Sequence, residues 1–293
     1  MAVMLNDYLK SKYGSKKYKV SINAGFTCPN RNGTLGTKGC IFCSGMGSGD
    51  FAESSLLSVT DQIDSGKKRV ASKIGDGNKY IAYFQAFTNT YAPVERLRSL
   101  YTQAMNHPDI EILSIATRPD CLDSDVLSLL SDMNKIKPVW VELGLQTIHE
   151  TTAEYIRRGY SLDVYDKAVK DLKVLGIETI VHVILGLPGE SKEDMLKTVE
   201  YVAESGVQGI KLQLLHVLKG TDLAADYEAG RFECLTLEEY VDIVKDAIRL
   251  LPEDMVIHRM TGDGDKKLLI APVWSGNKKL VLNTLNKTLS LNR

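Results

Sequence analysis

Short apolar runs and amphipathic stretches alternate along the chain, and that alternation sets the elements to expect. Runs rich in Val, Ile and aromatic residues at 19–26, 79–87, 110–118, 138–146, 177–187, 210–218 and 254–260 read as strands. Their near-continuous apolar character suits strands buried on both faces of a parallel sheet. Between them, apolar residues recur every three or four positions, as on one face of a helix. PVERLRSLYTQAMN starts at Pro93, and LDSDVLSLLSDMN follows the third strand. SLDVYDKAVKDLKVLG opens on Ser161 as an N-cap and stops at Gly176, and SKEDMLKTVEYVAESG does the same with Ser191 and Gly206. LTLEEYVDIVKDAIRLL is capped by Thr236, and KKLVLNTLNKTL reads as a final helix. Strand–helix repetition of this kind predicts an α/β fold with a parallel sheet, as a barrel or partial barrel in a single domain over 1–293. The repeating core runs from about 19 to 260, with extensions at 1–18 and 261–293.

Composition narrows the class. A chain of 293 residues is ordinary for one α/β barrel, and 44% hydrophobic with 25% charged residues supports a large core rather than disorder. The N-terminus has no apolar stretch of signal-peptide length, and no run approaches a membrane span. A soluble cytoplasmic protein without a membrane partner is the expectation, and in that compartment thiols stay reduced. Net charge is −1 but uneven: residues 1–27 carry +4, residues 258–293 carry +5, and the middle carries −10. Basic ends form a docking surface for a polyanion if they meet in space; otherwise they are solubilising tails.

In a barrel the chemistry gathers at the C-terminal ends of the strands. Here each strand runs into a polar or glycine-bearing segment: AGFTCPNRNG, FQAFTNTYAP, ATRPDC, LGLQTIHE, LGLPGES, LHVLKGTD and HRMTGDGD. The first carries Cys28, Cys40 and Cys43 in the spacing C-x11-C-x2-C. Clustered thiols in a reducing compartment read as metal ligands or catalytic groups before disulfides. A structural zinc needs four ligands, a catalytic zinc takes three and a water, and a [4Fe–4S] cluster held by three thiolates leaves one iron open to an outside ligand. The Gly-, Asn- and Thr-rich loop can wrap a cluster, with Phe42 shielding one side.

The triplet after the first strand, with an aromatic before its last cysteine, resembles the radical S-adenosylmethionine (SAM) superfamily. GFTCPNRNGTLGTKGCIFCSGMGSGDF resembles the long-loop variant of its YtqA/YhcC-type branch. The likeness continues through YFQAFTNTYAP, ATRPDCL, VELGLQT, HVILGLPGES and HRMTGDGDKKLLIAP, nearly the whole chain. The branch is also similar to the radical SAM half of the Elongator catalytic subunit. The resemblance implies a partial (β/α)6-type TIM barrel, a [4Fe–4S] cluster on Cys28, Cys40 and Cys43, and SAM chelating the fourth iron. It implies that Gln85 meets the methionine amino group and that Arg118 meets the carboxylate. Glu142 and Gln146 meet the ribose, and Gly186, Leu187 and Pro188 line the adenine. It also implies an electron donor, either a reductase or a flavodoxin- or ferredoxin-like protein.

His182, His216 and His258 lie in or at the ends of predicted strands, and a lone strand histidine is more often a core group than a site. Three of them at neighbouring strand ends point toward a substrate pocket. Side-chain alternation places His182 with Ile184 and opposite Val181 and Val183, without saying which set faces inward. With HRMTGDGD among the branch's recognisable stretches, Arg259 and Asp263 join the histidines as expected substrate contacts. The Elongator likeness implies tRNA as partner, and the YtqA/YhcC-type branch implies wobble uridine as target, with a 5-carboxymethylaminomethyl side chain converted to 5-aminomethyl and the lysines of 10–19 and 266–287 on phosphates. A small metabolite substrate, or a zinc-stabilised RNA-binding module without catalysis, are the alternatives.

Overall fold

The structure is a computed structural model and describes residues 2–45, 47, 52–73, 79–262 and 264–289. Its strands are β1 (Val3–Met4), β2 (Tyr18–Ile22), β3 (Tyr80–Phe84), β4 (Ile110–Thr117), β5 (Val139–Gln146), β6 (Glu178–Leu185), β7 (Gly209–Leu214), β8 (Val217–Leu218), β9 (Val256–Arg259) and β10 (Leu269–Ala271). Eight of them form one parallel sheet in the order β1-β9-β7-β6-β5-β4-β3-β2. Strands β2 to β7 follow chain order, as right-handed strand–helix–strand units require. The edges β1 and β2 do not pair with each other, so this is a curled partial barrel, open on one side. Every strand expected from the sequence is in it.

The helices are α1 (Leu5–Tyr13), α2 (Val59–Val70), α3 (Val94–Asn106), α4 (Ser124–Asn134), α5 (Glu150–Tyr155), α6 (Leu162–Val174), α7 (Lys192–Glu204), α8 (Asp222–Glu228), α9 (Leu237–Leu250) and α10 (Lys278–Thr288). Ser191 and Thr236 close capping boxes with Asp194 and Glu239. Ser161 is the N-cap of α6, but its hydroxyl goes to the Asp163 carboxylate and caps no backbone N–H. Among the described residues, no helix is long and apolar enough to cross a membrane.

Strand alternation sorts the residues. On β5, Val139, Val141, Leu143 and Leu145 pack outward under Leu129 and Leu130 of α4 and Leu172 of α6. Trp140 and Glu142 point the other way, into the barrel. Near the N-terminal ends of the strands the interior is apolar, formed by Ile81, Ile112, Trp140 and Ile180. Leu9 of α1, fully buried, plugs it from below together with Leu5, Tyr8 and Tyr13. Burying one such leucine stabilises the fold by about 2 kcal/mol.

The segment 1–18 is therefore no loose extension. β1 adds a strand beside β9, pairing Val3 with Val256 and Met4 with Ile257, and α1 closes the barrel end. Three lysines of this region are also spent: Lys12 pairs with Glu178, Lys17 with Glu111 at 2.6 Å, and Lys19 of β2 with Glu142. The expectation that residues 10–19 bind phosphates is corrected for these three, because internal carboxylates already hold them. At the other end, β10 pairs antiparallel with β8, and α10 buries Val281 and Leu285 against α9.

Candidate active site

Above the apolar plug the interior turns polar. Glu142, completely buried in mid-β5, is the centre of this floor. Lys19 of β2 donates to its Oε1 and Lys211 of β7 to its Oε2. His182 Nε2 of β6 approaches Oε2 at 2.8 Å, and Ser114 Oγ of β4 donates to Oε1 at 2.7 Å. Four partners fill the acceptor sites of the carboxylate. Burial pushes Glu142 up, but Lys19, Lys211 and His182 outweigh it and hold the group well below the usual carboxylate range. The ribose contact expected of Glu142 thus falls on a residue at mid-strand whose oxygens are already engaged.

His182 faces inward, which settles the alternation that the sequence left open; Val181 and Val183 lie under the helices. Its Nδ1 stands 3.3 Å from Gln213 Nε2. Burial, helped by the charges of Lys211 and Arg259, lowers it to about 4 against the pull of Glu142. His258 of β9 stands edge-on to Trp140 at 5.1 Å, with a buried Nδ1 that lacks a hydrogen-bond partner. Burial and Lys19 push it well below the ordinary histidine value, so both imidazoles are neutral at pH 7. Arg259 is beside Lys211 in the β7–β9 register. His216 is elsewhere: Gly262 and Gly264 cover its ring, and a Cβ on either would come within 2.9 or 3.0 Å of it. Asp263 lies outside the described residues.

A pH effect follows from His182. Its native value of about 4 lies below the ordinary 6.5, so between these values the unfolded chain binds more protons and stability falls as pH drops. Glu142, held well below the usual carboxylate range, stays ionised across this window and adds no opposing slope. Wild type is expected to lose about 1–2 kcal/mol through this group between pH 7 and pH 5. His182→Gln, which keeps a donor for Glu142, should remove that part of the loss in urea unfolding at the two pH values; an equal drop in both proteins refutes the assignment. His258, also lowered by burial, contributes a loss of the same sign that the substitution leaves in place.

The three cysteines lie at the C-terminal mouth, in the loop that follows β2. Among the described residues the five cysteines are thiols without a disulfide. Burial and the charges of Cys43 and Cys28 push the Cys40 thiol up to about 12, opposed by Asn30 and Arg118. The loop is tied down by residues that sequence reasoning passed over. Asn30 Nδ2 donates to Arg157 O at 2.6 Å and to Cys40 Sγ at 3.4 Å. Arg31 Nη2 donates to the carbonyls of Cys43 and Ser44 at 3.0 and 2.7 Å, and its guanidinium lies 5.3 Å from the Phe87 ring centre. Gly159 has φ +80°, and a Cβ there would stand 2.8 Å from Asn30 Oδ1. The only signals in the sequence were polar residues inside CPNRNG.

Around this loop stand the other expected contacts. Arg118 is fixed by Asp120 through Nε and Nη2 at 2.9 and 2.8 Å, and lies 5.1 Å from the Tyr160 ring centre. Cys121 is near enough to feel the charge of Cys28, which places it at this rim rather than in a remote core. Gln85 Nε2 donates to Ser21 Oγ at 2.9 Å. Gln146 ends β5 at φ +70°, a costly conformation for a side-chain-bearing residue, and its Oε1 is buried without a partner. Gly186 has φ +90°, and Pro188 is half-buried. Leu187 packs in a second core with Ile41, Leu215 and Phe42, so Phe42 anchors the cysteine loop to the end of β6.

Among the described residues, no three His, Cys, Asp or Glu side chains converge to hold a single metal ion. A cluster with one cysteine on each of three irons does not need that convergence. Neighbouring thiols, Cys28 buried and Cys40 and Cys43 half-buried, with an amide donor on one sulfur and Arg118 beside them, fit such a cluster.

Family comparison decides the matter. Residues 27–202 match the Radical SAM superfamily, and residues 207–290 match the Radical_SAM C-terminal domain. The chain belongs to the radical SAM superfamily. This radical SAM protein is 47% identical over 285 residues to the uncharacterized protein YtqA of Bacillus subtilis, covering 97% of this chain and 88% of that one. It is 27% identical over 169 residues to the tRNA uridine(34) acetyltransferase of Methanocaldococcus jannaschii, covering 56% of this chain and 30% of that one. The structure of Methanocaldococcus infernus Elp3 with an N-terminal deletion superposes with a TM-score of 0.69 at 18% identity, over 92% of this chain and 63% of that one, and shares the fold. Radical SAM proteins bind a [4Fe–4S] cluster and SAM.

Proposed function

We propose that this radical SAM enzyme modifies tRNA at the wobble uridine, converting a 5-carboxymethylaminomethyl side chain to 5-aminomethyl. The observation that carries the reading is the match to the tRNA uridine(34) acetyltransferase. Cys28, Cys40 and Cys43 hold the cluster. Arg118, Gln146, Gln85 and the backbone of Gly186–Pro188 hold SAM, the buried Oε1 of Gln146 being an acceptor in want of a donor. When bound, the reduced cluster supplies the electron that splits SAM into methionine and a 5′-deoxyadenosyl radical. The protein's own part is to position and to exclude. Arg31 and Asn30 stiffen the cysteine loop, α1 keeps water out from below, and the open side of the barrel admits a nucleotide. Loss of the carboxymethyl unit would balance as hydrogen abstraction from its carbon, transfer of one further electron from that α-amino radical to a one-electron acceptor, and hydrolysis of the resulting imine to the aminomethyl group and glyoxylate. His182, His258 and Arg259 face that side chain, and the exposed Lys266, Lys267, Lys279 and Lys287 meet phosphates.

The test is a gene deletion in the host, with tRNA digested and its nucleosides measured by mass spectrometry. The carboxymethylaminomethyl nucleoside is expected to accumulate and the aminomethyl nucleoside to fall, with both restored by the gene on a plasmid. An unchanged profile overturns the wobble-uridine reading.

A further inference from the structure

The floor of the barrel holds more positive charge than it neutralises. Lys19, Lys211 and Arg259 converge there from β2, β7 and β9, and among the described residues the ion pairs of the floor all end on Glu142. The two lysines already occupy one oxygen each of that carboxylate. Arg259, side by side with Lys211 in the register, has no carboxylate of its own among the described residues. Arg259 is half-buried, and a cation partly drawn from water without a counter-charge favours a ligand that supplies the missing charge.

We propose that this floor is a receptor for a carboxylate of the substrate, with Arg259 as its principal contact and Lys19 and Lys211 beside it. The inference rests on the function proposed above in one respect only: it identifies that carboxylate with the end of the carboxymethylaminomethyl arm.

Access and shape agree with this assignment. From below, the floor is sealed by Leu9, Ile81, Ile112, Trp140 and Ile180, all at most 1% exposed. The groups of the floor that reach solvent do so from above: the side chains of Lys19 and His182 are 21% and 15% exposed, against 4% for Lys211 and none for Glu142. Directly above Glu142 on the same strand face is Gly144, where a Cβ would come within 2.8 Å of the Gln146 amide nitrogen. The side chain of Gln146 takes the space that a side chain at 144 would need. His258 Nδ1, buried and unpartnered, is a further group that a carboxylate can satisfy. The neighbours report the field as well. After burial, Lys19 and Arg259 lower Lys211, Lys211 and Arg259 lower His182, and Lys19 lowers His258. A slender arm ending in a planar anion suits the guanidinium fork, which takes such a group in a bidentate grip.

The test separates the receptor from the identity of the substrate. Sarcosine labelled with carbon-13 in its carboxyl group carries the same end as the proposed arm; N-methylethanolamine lacks the carboxylate. Both are titrated against anaerobically purified protein at constant ionic strength and followed by NMR. Sarcosine is expected to show saturable broadening and N-methylethanolamine none. Arg259→Gln should weaken sarcosine at least about tenfold, and Arg259→Lys should weaken it less. Thermal unfolding of each variant separates a folding defect from a lost contact, and the charge-preserving lysine variant keeps the comparison valid if the glutamine variant is unstable. No saturable binding by wild type, or equal binding by wild type and Arg259→Gln, overturns the receptor. In parallel, wild type should bind tRNA carrying the carboxymethylaminomethyl group more tightly than tRNA carrying aminomethyl, with the difference lost in Arg259→Gln. If sarcosine binds through Arg259 while the two tRNAs bind alike, the receptor stands and the wobble-uridine reading falls.

Discussion

Cys40→Ala protein, purified and reconstituted without oxygen, is expected to hold well below one iron per chain and to form no 5′-deoxyadenosine above background. Wild type treated in the same way should hold about four irons, the content of one cubane cluster. The size of the effect comes from where Cys40 sits. It is the thiol that Asn30 reaches, and its neighbours Cys28 and Cys43 are close enough to raise its proton affinity. Iron must displace that proton, and two remaining thiolates cannot fix the third corner of a cluster. Cys121 stands at the same rim, yet its sulfur is turned to Asp120 at 3.9 Å, and so it is no ready substitute. Cys234 packs in the second core with Phe232 and Tyr227, and Cys234→Ala should keep both iron and cleavage. Formation of 5′-deoxyadenosine by Cys40→Ala protein would remove Cys40 from the ligand set.

The second large effect is on stability. Glu142→Leu should cost about 3–5 kcal/mol, because it leaves buried cations without their counter-charge. Lys211 bears most of this, being 4% exposed in its side chain, whereas Lys19 at 21% can turn toward solvent. Adding Lys211→Met to Glu142→Leu should therefore recover most of the loss, since replacing both members of a buried pair by apolar groups is close to neutral. Urea unfolding of the two single variants and the double variant completes the cycle. Simple additivity of the single losses would mean that the Lys211–Glu142 contact does not hold the floor together.

Much of the architecture was legible in the sequence because its signals are local. A buried parallel strand declares itself by an unbroken apolar run, and a helix by Ser191 or Thr236 followed three residues later by an acid. The elements that escaped had weak local signals: the two-residue β1, the three-residue β10, the break that sets β8 apart from β7, the short α5 and α8, α2, whose run is interrupted by Gly66, and α1, whose few apolar residues matter only because a barrel end waits to be filled. The cysteine spacing was equally visible, since thiols in a reduced compartment have few other uses. Asn30 and Arg31, which brace that loop, were unremarked because their partners lie on other turns of the loop and at Arg157, 127 residues away.

By itself the sequence determined the alternation of strand and helix, the set of residues sharing each strand face, and the thiols that stand together after the first long strand. These follow from periods of two and of three to four residues and from spacing within one loop, all of which act over short stretches of chain. Which face is inward, and what meets there, belonged to the tertiary structure. Lys19 reaches Glu142 across 123 residues and Lys211 across 69, and no local pattern encodes such a meeting. For the same reason His182 and His258 came together while His216 went under a glycine turn, and N-terminal lysines that looked free for phosphate were consumed by carboxylates of the barrel. A charge seen along the chain becomes a partner only when the sheet curls and removes water from between the groups, and that happens at the level of the fold.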